Sequence, residues 1–225
     1  INSYSYASRK SPEFMNHELI RCLECNLVYT VYPPSEEELM KSYESSSYDS
    51  EIEANYAAKS YIKNLKKLKP SLLNDKNIHT LEIGSGNNAF LKLLETIGIR
   101  NLTGIEPSQE AIGSQINDNK SIIKIINQYD KEYFNNDTLD LICCFMTLEH
   151  ILKPNEMISE AMRTLKNNGS VALVVHNIDA PLNKFLGKYS PIIDIEHLQI
   201  FSKRSIKYWL EKFNFENIQI TELIN

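Results

Sequence analysis

From Ile78 onward, short apolar runs alternate with stretches in which apolar residues recur every three or four positions. Ile78 to Ile83 reads as a strand that stops at Gly84. Asn88 to Ile97 then places Phe90, Leu91, Leu94 and Ile97 on one helical face. Leu102 to Glu106 reads as a second strand, Gln109 to Asn119 as a less regular helix, and Ser121 to Asn127 as a β-branched third strand. Leu139 to Met146 is apolar on both faces, as a strand inside a parallel sheet must be. Pro154 to Lys166 predicts an amphipathic helix with Met157, Ile158, Ala161, Met162 and Leu165 inward, and Gly169 at its C-cap. Ser170 to His176 follows as a fifth strand. Lys203 to Phe213 predicts a helix capped by Ser202, with Ile206, Trp209, Leu210 and Phe213 inward, and Asn217 to Leu223 a last strand.

This alternation predicts βαβ units and therefore an α/β fold, doubly wound about a mostly parallel sheet, over residues 76–225. Ligands of such sheets bind beyond the carboxyl ends of the strands, here Gly84, Glu106, Asn127, Met146 and His176. Residues 1–75 have another texture, rich in Tyr, Ser, Glu and Lys, and read as an N-terminal extension.

With 225 residues, 42% of them hydrophobic, the chain can bury a sizeable core. A net charge of -5 argues against a partner that presents a nucleic-acid backbone. The cluster Lys63, Lys66, Lys67 and Lys69 reads as a solvated helix face. No apolar run approaches the roughly 18 residues needed to span a bilayer, and no secretory signal opens the chain. Cys143 and Cys144 lie in an apolar run and read as core. With Cys22 and Cys25 they make no disulfide framework, which favours a reducing, cytoplasmic setting. The expected partner is a small molecule, with neither nucleic acid nor membrane, and the oligomeric state is left open.

The chemistry centres on Leu81-Glu82-Ile83-Gly84-Ser85-Gly86-Asn87-Asn88-Ala89-Phe90. Gly84 and Gly86 let the backbone turn tightly and let a ligand approach without a Cβ in the way. Glu106, ending the next strand, can accept hydrogen bonds from two ribose hydroxyls. Gly84-x-Gly86-x-x-Ala89 also fits a dinucleotide fingerprint. Glu82 tilts the choice: a carboxylate there suits a ligand carrying ammonium or sulfonium and repels a pyrophosphate.

Glu82-x-Gly84-x-Gly86 followed by Gly104-Ile105-Glu106-Pro107-Ser108 resembles motifs I and II of class I S-adenosylmethionine-dependent methyltransferases. Leu139-Asp140-Leu141-Ile142 with Leu148-Glu149-His150-Ile151, the helix ending in Leu165-Lys166-Asn167-Asn168-Gly169, and His197-Leu198-x-x-Phe201-Ser202 with Phe213-Asn214-Phe215 are similar to later stretches of that family. The resemblance covers residues 78 to about 220. It implies a Rossmann-like methyltransferase domain with S-adenosylmethionine as cofactor and S-adenosylhomocysteine as product. Asn88 stands where the family has a third glycine, and Asn tolerates a left-handed backbone better than most residues. By position, the resemblance places Glu82, Gly84, Ser85, Gly86, Glu106 and Pro107 around the cofactor. It sets Gln128 and Tyr129 at the adenine, and Phe145 and Met146 near the methionine moiety.

Arg21 to Tyr29, with Cys22 and Cys25, resembles the second half of a small zinc module. Zinc takes four ligands, so one CxxC pair and His17 would hold it only with a further CxxC upstream of Ile1. A cysteine module, a tyrosine-rich helix and a methyltransferase domain in that order resemble sugar C-methyltransferases. This implies a nucleotide sugar or other saccharide precursor as acceptor and Tyr48 to Leu68 as a lid helix, with Tyr48 or Tyr56 over the sulfonium. Methylation of a hydroxyl or an acidic carbon needs a base, and His150, His176 and His197 fall near predicted strand ends. Asp194-Ile195-Glu196-His197 resembles the Tyr-x-Glu-His pattern of those enzymes, with Asp194 in place of the tyrosine, so O- and N-methylation stay open. His197 is the first choice as base and His150 the second, with Glu196 beside them. Two rival readings are a nicotinamide-dependent oxidoreductase using the same loop and a non-catalytic S-adenosylmethionine-binding domain.

Overall fold

The apolar runs of the second half of the chain become the strands of one parallel sheet. The computed structural model describes residues 16–44, 51–108, 111, 123–126 and 133–223. In chain order its elements are β1 (Leu19–Arg21), β2 (Val28–Thr30), α1 (Glu36–Glu44), α2 (Glu51–Leu68), β3 (His79–Ile83), α3 (Ala89–Thr96), β4 (Asn101–Ile105), β5 (Lys124–Ile126), β6 (Leu139–Phe145), α4 (Pro154–Thr164), β7 (Leu165–Val174), α5 (Pro181–Leu186), β8 (Gln199–Ile200) and α6 (Lys203–Lys212). Short 3-10 turns occupy Leu72–Asn74, Leu148–His150 and Gly187–Tyr189. The large sheet runs β5-β4-β3-β6-β7 with every pairing parallel. The chain builds outward from β3 to β5, then returns to β6 on the other side of β3, so the strand order switches at β3. The predicted helix over 109–119, apart from Ala111, and the residues Tyr48, Gln128 and Tyr129 lie outside the described residues.

Strand β6 shows why its sequence is apolar throughout. Leu141, Cys143 and Phe145 face one side and join Phe90, Leu91 and Leu94 of α3 and Ala58 and Tyr61 of α2. Ile142 and Cys144 face the other and join Leu81, Ile83, Ile158 and Ala161, with Trp209 and Phe213 packed alongside. Helix α6 starts at a capping box in which the Ser202 hydroxyl accepts from Ser205 N–H and the Ser205 hydroxyl accepts from Ser202 N–H.

Three sequence expectations fail here. Helix α4 stops at Thr164, whose hydroxyl turns back onto the carbonyls of Glu160 and Ala161, and the chain enters β7 at once. Gly169 is therefore inside β7, not a C-cap, where a Cβ would stand 2.6 Å from Leu165 Cγ. Met162 falls off the buried stripe and is exposed. No strand forms over 217–223: Asn214 and Asn217 take left-handed backbone angles that end extended structure, and Glu222 pairs with Lys203 instead.

The N-terminal segment folds onto the end of the chain. β1 and β2 form a hairpin around Cys22 and Cys25, and β2 pairs antiparallel with β8, Val28 opposite Ile200. Glu24 takes hydrogen bonds from Arg204 and Tyr208 of α6, and Asn26 donates to Asp179. Cys22 and Cys25 are free thiols, and among the described residues no three His, Cys, Asp or Glu side chains are grouped to hold a metal ion. No helix among them is long and apolar enough to cross a membrane.

Leu141 is fully buried at the centre of the sheet. Leu141→Ala is expected to lower stability by about 3 kcal/mol, a fall in melting temperature of roughly 10 °C, read by thermal denaturation.

Candidate active site

The bend after β3 is held by backbone geometry that only certain residues can adopt. Gly84 and Gly86 have φ of 73° and 49°, and Asn88, the N-cap of α3, has φ 59°. The left-handed conformation expected of Asn88 is thus met. Gly84 and Ser85 N–H both donate to the Ile105 carbonyl, at 2.9 and 3.0 Å, so the bend lies against the tip of β4. A Cβ on Gly84 would stand 2.2 Å from Thr147 Oγ1, and one on Gly104 2.5 Å from Ser85 Oγ. Glycine at 84 and 104 is a condition for these three strand ends to converge.

Two predicted acids meet at this point. Glu82 pairs in register with Gly104, two residues before Glu106. Glu106 braces the bend: its carboxylate accepts from Gly86 N–H at 2.7 Å and Ser108 N–H at 2.8 Å, with Pro107 between. Burial pushes its carboxyl up, opposed by those two bonds. Glu82 is buried, and its Oε2 has no hydrogen-bond partner. Burial, and then the charge of Glu106, push the Glu82 carboxyl well above the ordinary range. The buried Ser85 hydroxyl also lacks a partner. An orphaned carboxyl oxygen beside a Cβ-free bend fits a cationic ligand, as the sequence expectation requires; a pyrophosphate would meet repulsion there.

Phe145 ends β6. Its ring packs on Tyr61 of α2, centroids 4.3 Å apart, and edge-on to Phe90 at 4.9 Å. Met146 follows in a left-handed conformation, its N–H bonded to the Val174 carbonyl. Tyr56 is 70% exposed, with Lys59 Nζ 5.5 Å from its ring centre. The inward tyrosine of α2 is Tyr61, whose hydroxyl is pushed up to about 12 by burial and by the charges of Glu82 and Glu149. The sequence carries that signal, since Ala54, Ala57, Ala58, Tyr61 and Leu65 repeat at helical spacing.

The three predicted histidines converge beyond β6 and β7. His197 packs on His150 at 4.8 Å and on His176 at 5.1 Å between ring centres. His197 Nδ1 lies 2.8 Å from the Ile192 carbonyl, which fixes Nδ1–H as donor and leaves Nε2 a lone pair. Burial lowers the proton affinity of His197, and burial with the charge of His197 lowers that of His150 to about 3. Glu196 enters the cluster through its backbone, to which the His150 ring is hydrogen-bonded. Glu149, predicted only as part of a motif, is fully buried and bonded to His176. Of the named site residues, Tyr48, Gln128 and Tyr129 lie outside the described residues.

The sequence profile of a family described as a methyltransferase domain matches residues 53–220. Compared with curated protein sequences, the chain finds no match. A methyltransferase from Thermotoga maritima described as S-adenosylmethionine-dependent is similar in structure, with TM-score 0.53 and 19% identity over 73% of each chain. A second from Aquifex aeolicus has TM-score 0.55 and 15% identity over 84% of this chain and 94% of that one. Phosphoethanolamine N-methyltransferase 2 of Haemonchus contortus, solved with S-adenosyl-L-methionine, has TM-score 0.52 and 16% identity over 72% of this chain and 37% of its own. At such identities the likeness is one of fold.

Because the folded protein keeps Glu82 protonated to a higher pH than the unfolded chain, its contribution favours folding at low pH. That contribution is lost as pH rises from the ordinary carboxylate range through the folded value. Glu82→Gln in ligand-free protein is therefore expected to raise the melting temperature relative to wild type, increasingly so as pH rises. The same variant should bind S-adenosylhomocysteine at least about tenfold more weakly by calorimetry.

Proposed function

This chain belongs to the methyltransferase-domain family and is a methyltransferase dependent on S-adenosylmethionine, and from that premise we propose that its acceptor is a nucleotide sugar or related saccharide precursor. The observation that carries the donor half is the orphaned, buried carboxyl oxygen of Glu82 beside the bend at Gly84. When bound, the donor supplies a methyl group activated on a sulfonium.

The chain's own residues do the rest. Glu82 receives the cationic end of the donor, and Ser85 offers its free hydroxyl at the bend. Glu106 keeps lone pairs beyond its two backbone bonds and can take ribose hydroxyls with them. Phe145, Met146 and Tyr61 wall the methyl-transfer region and exclude water. His197 presents Nε2 as a hydrogen-bond acceptor, the geometry needed to orient an acceptor O–H or N–H. His150, itself bonded to the Glu196 backbone, packs against the His197 ring, and the Ile192 carbonyl holds its Nδ1. The saccharide assignment is supported by Glu196-His197 and by the tyrosine-rich helix ahead of the domain.

Calorimetry is expected to give a micromolar dissociation constant for S-adenosylhomocysteine and no heat with a nicotinamide dinucleotide. A panel of nucleoside-diphosphate sugars offered with methyl-labelled donor is expected to yield a labelled product from at least one member. Tight donor binding with label transferred to none of them would overturn the acceptor assignment, and no binding at all would overturn the donor site.

A further inference from the structure

Resting on that reading, we propose that His176 receives the acceptor's proton and that Glu149 is its positioning residue. Glu149 has no exposed surface, and one oxygen, Oε1, accepts both the backbone N–H of His176 at 2.6 Å and its ring Nδ1–H at 3.2 Å. Burial alone would raise the Glu149 carboxyl. The hydrogen bonds from His176 and the positive charge its ring can carry outweigh burial and hold it below its usual range. An ionised carboxylate only accepts, so the proton of a neutral His176 ring stays on Nδ1 and Nε2 bears the lone pair.

The neighbours sharpen the assignment. His150 and His197 have been driven toward neutrality by burial, and neither is bonded to a carboxylate side chain. His176 has one behind it, and its side chain keeps 30% of its surface exposed. Two imidazoles in ring contact can share one proton but resist carrying two. Of the three rings, His176 is the one that faces a buried carboxylate.

A purely structural Glu149 would be an odd choice. Its second oxygen, Oε2, is buried without a partner, and the His176 backbone N–H would be met as well by an amide. A half-satisfied buried carboxylate lowers stability, whereas its charge is what a proton-accepting imidazole needs. In the proposed step the acceptor's O–H or N–H bond breaks and its electron pair stays on the nucleophile, which bonds the methyl group as the methyl–sulfur bond breaks and leaves its pair on sulfur, giving the neutral thioether product. The proton becomes N–H at His176 Nε2 and passes to water after turnover.

The test reads the tautomer directly. Full-length protein labelled with nitrogen-15 at histidine and saturated with S-adenosylhomocysteine is examined by long-range proton–nitrogen correlation at pH 8.5, with His176 assigned through His176→Asn. The expected result is a neutral His176 ring protonated at Nδ1 alone, becoming a mixture of tautomers in Glu149→Gln. A ring protonated at Nε2, or one that Glu149→Gln leaves unchanged, overturns the proposal. Failure of S-adenosylhomocysteine to bind would instead strike the donor site, and the tautomer remains readable without it. With whichever nucleoside-diphosphate sugar takes the label, His176→Ala is expected to lose at least about 100-fold in kcat. It should keep the donor KM and recover part of the rate on adding imidazole. Wild-type turnover in His176→Ala would equally overturn the proposal.

Discussion

Three carboxyl groups, those of Glu82, Glu106 and Glu149, lie out of water along the carboxyl edge of one sheet, and each must answer for the loss of its hydration. Glu106 does so with backbone N–H groups from the loops after β3 and β4, and in doing so shapes both loops. Glu149 does so with one histidine. Glu82 does so only in part, and the charge it would carry is disfavoured until a positive partner arrives. A ligand-free site that leaves one oxygen of Glu82 and one of Glu149 unpartnered has lower stability than it could have, and that deficit is available to binding.

The close approach of backbones makes this arrangement possible. Thr147 lies over Gly84, and Ser85 and Asn88 lie over Gly104. The side chains of β3, β4 and the turn after β6 therefore meet in a space that larger residues would fill. Aromatic packing of Phe145 against Tyr61 and Phe90 then fixes the wall of the cradle to helices on one face.

The sheet was legible because strands buried on both faces must be apolar without interruption, as β6 is. The glycine bend was legible for the same kind of reason, since left-handed backbone admits few residues at 84, 86 and 88. What escaped were features set by distant partners. Gly169 looked like a helix stop, but Thr164 ends the helix earlier by bonding its own turn. Ile218 and Ile220 alternate as a strand would, yet no neighbouring strand pairs with them. Tyr56 and Tyr61 differ only in which side of α2 meets Phe145. The pairing of Glu149 with His176 joins two strand ends that nothing local connects.

The hairpin of β1 and β2 completes its small sheet only with β8, near the opposite end of the chain. Thr30 N–H donates to the Leu198 carbonyl, and Leu198 N–H donates to the Glu149 carbonyl. The hairpin thus waits for a strand far along the chain before its edge is covered, a contact of very long sequence separation that slows closure and leaves a bare strand edge meanwhile. The CxxC loop and the histidine-bearing segment are tied by that one pairing, so neither reaches its final order without the other.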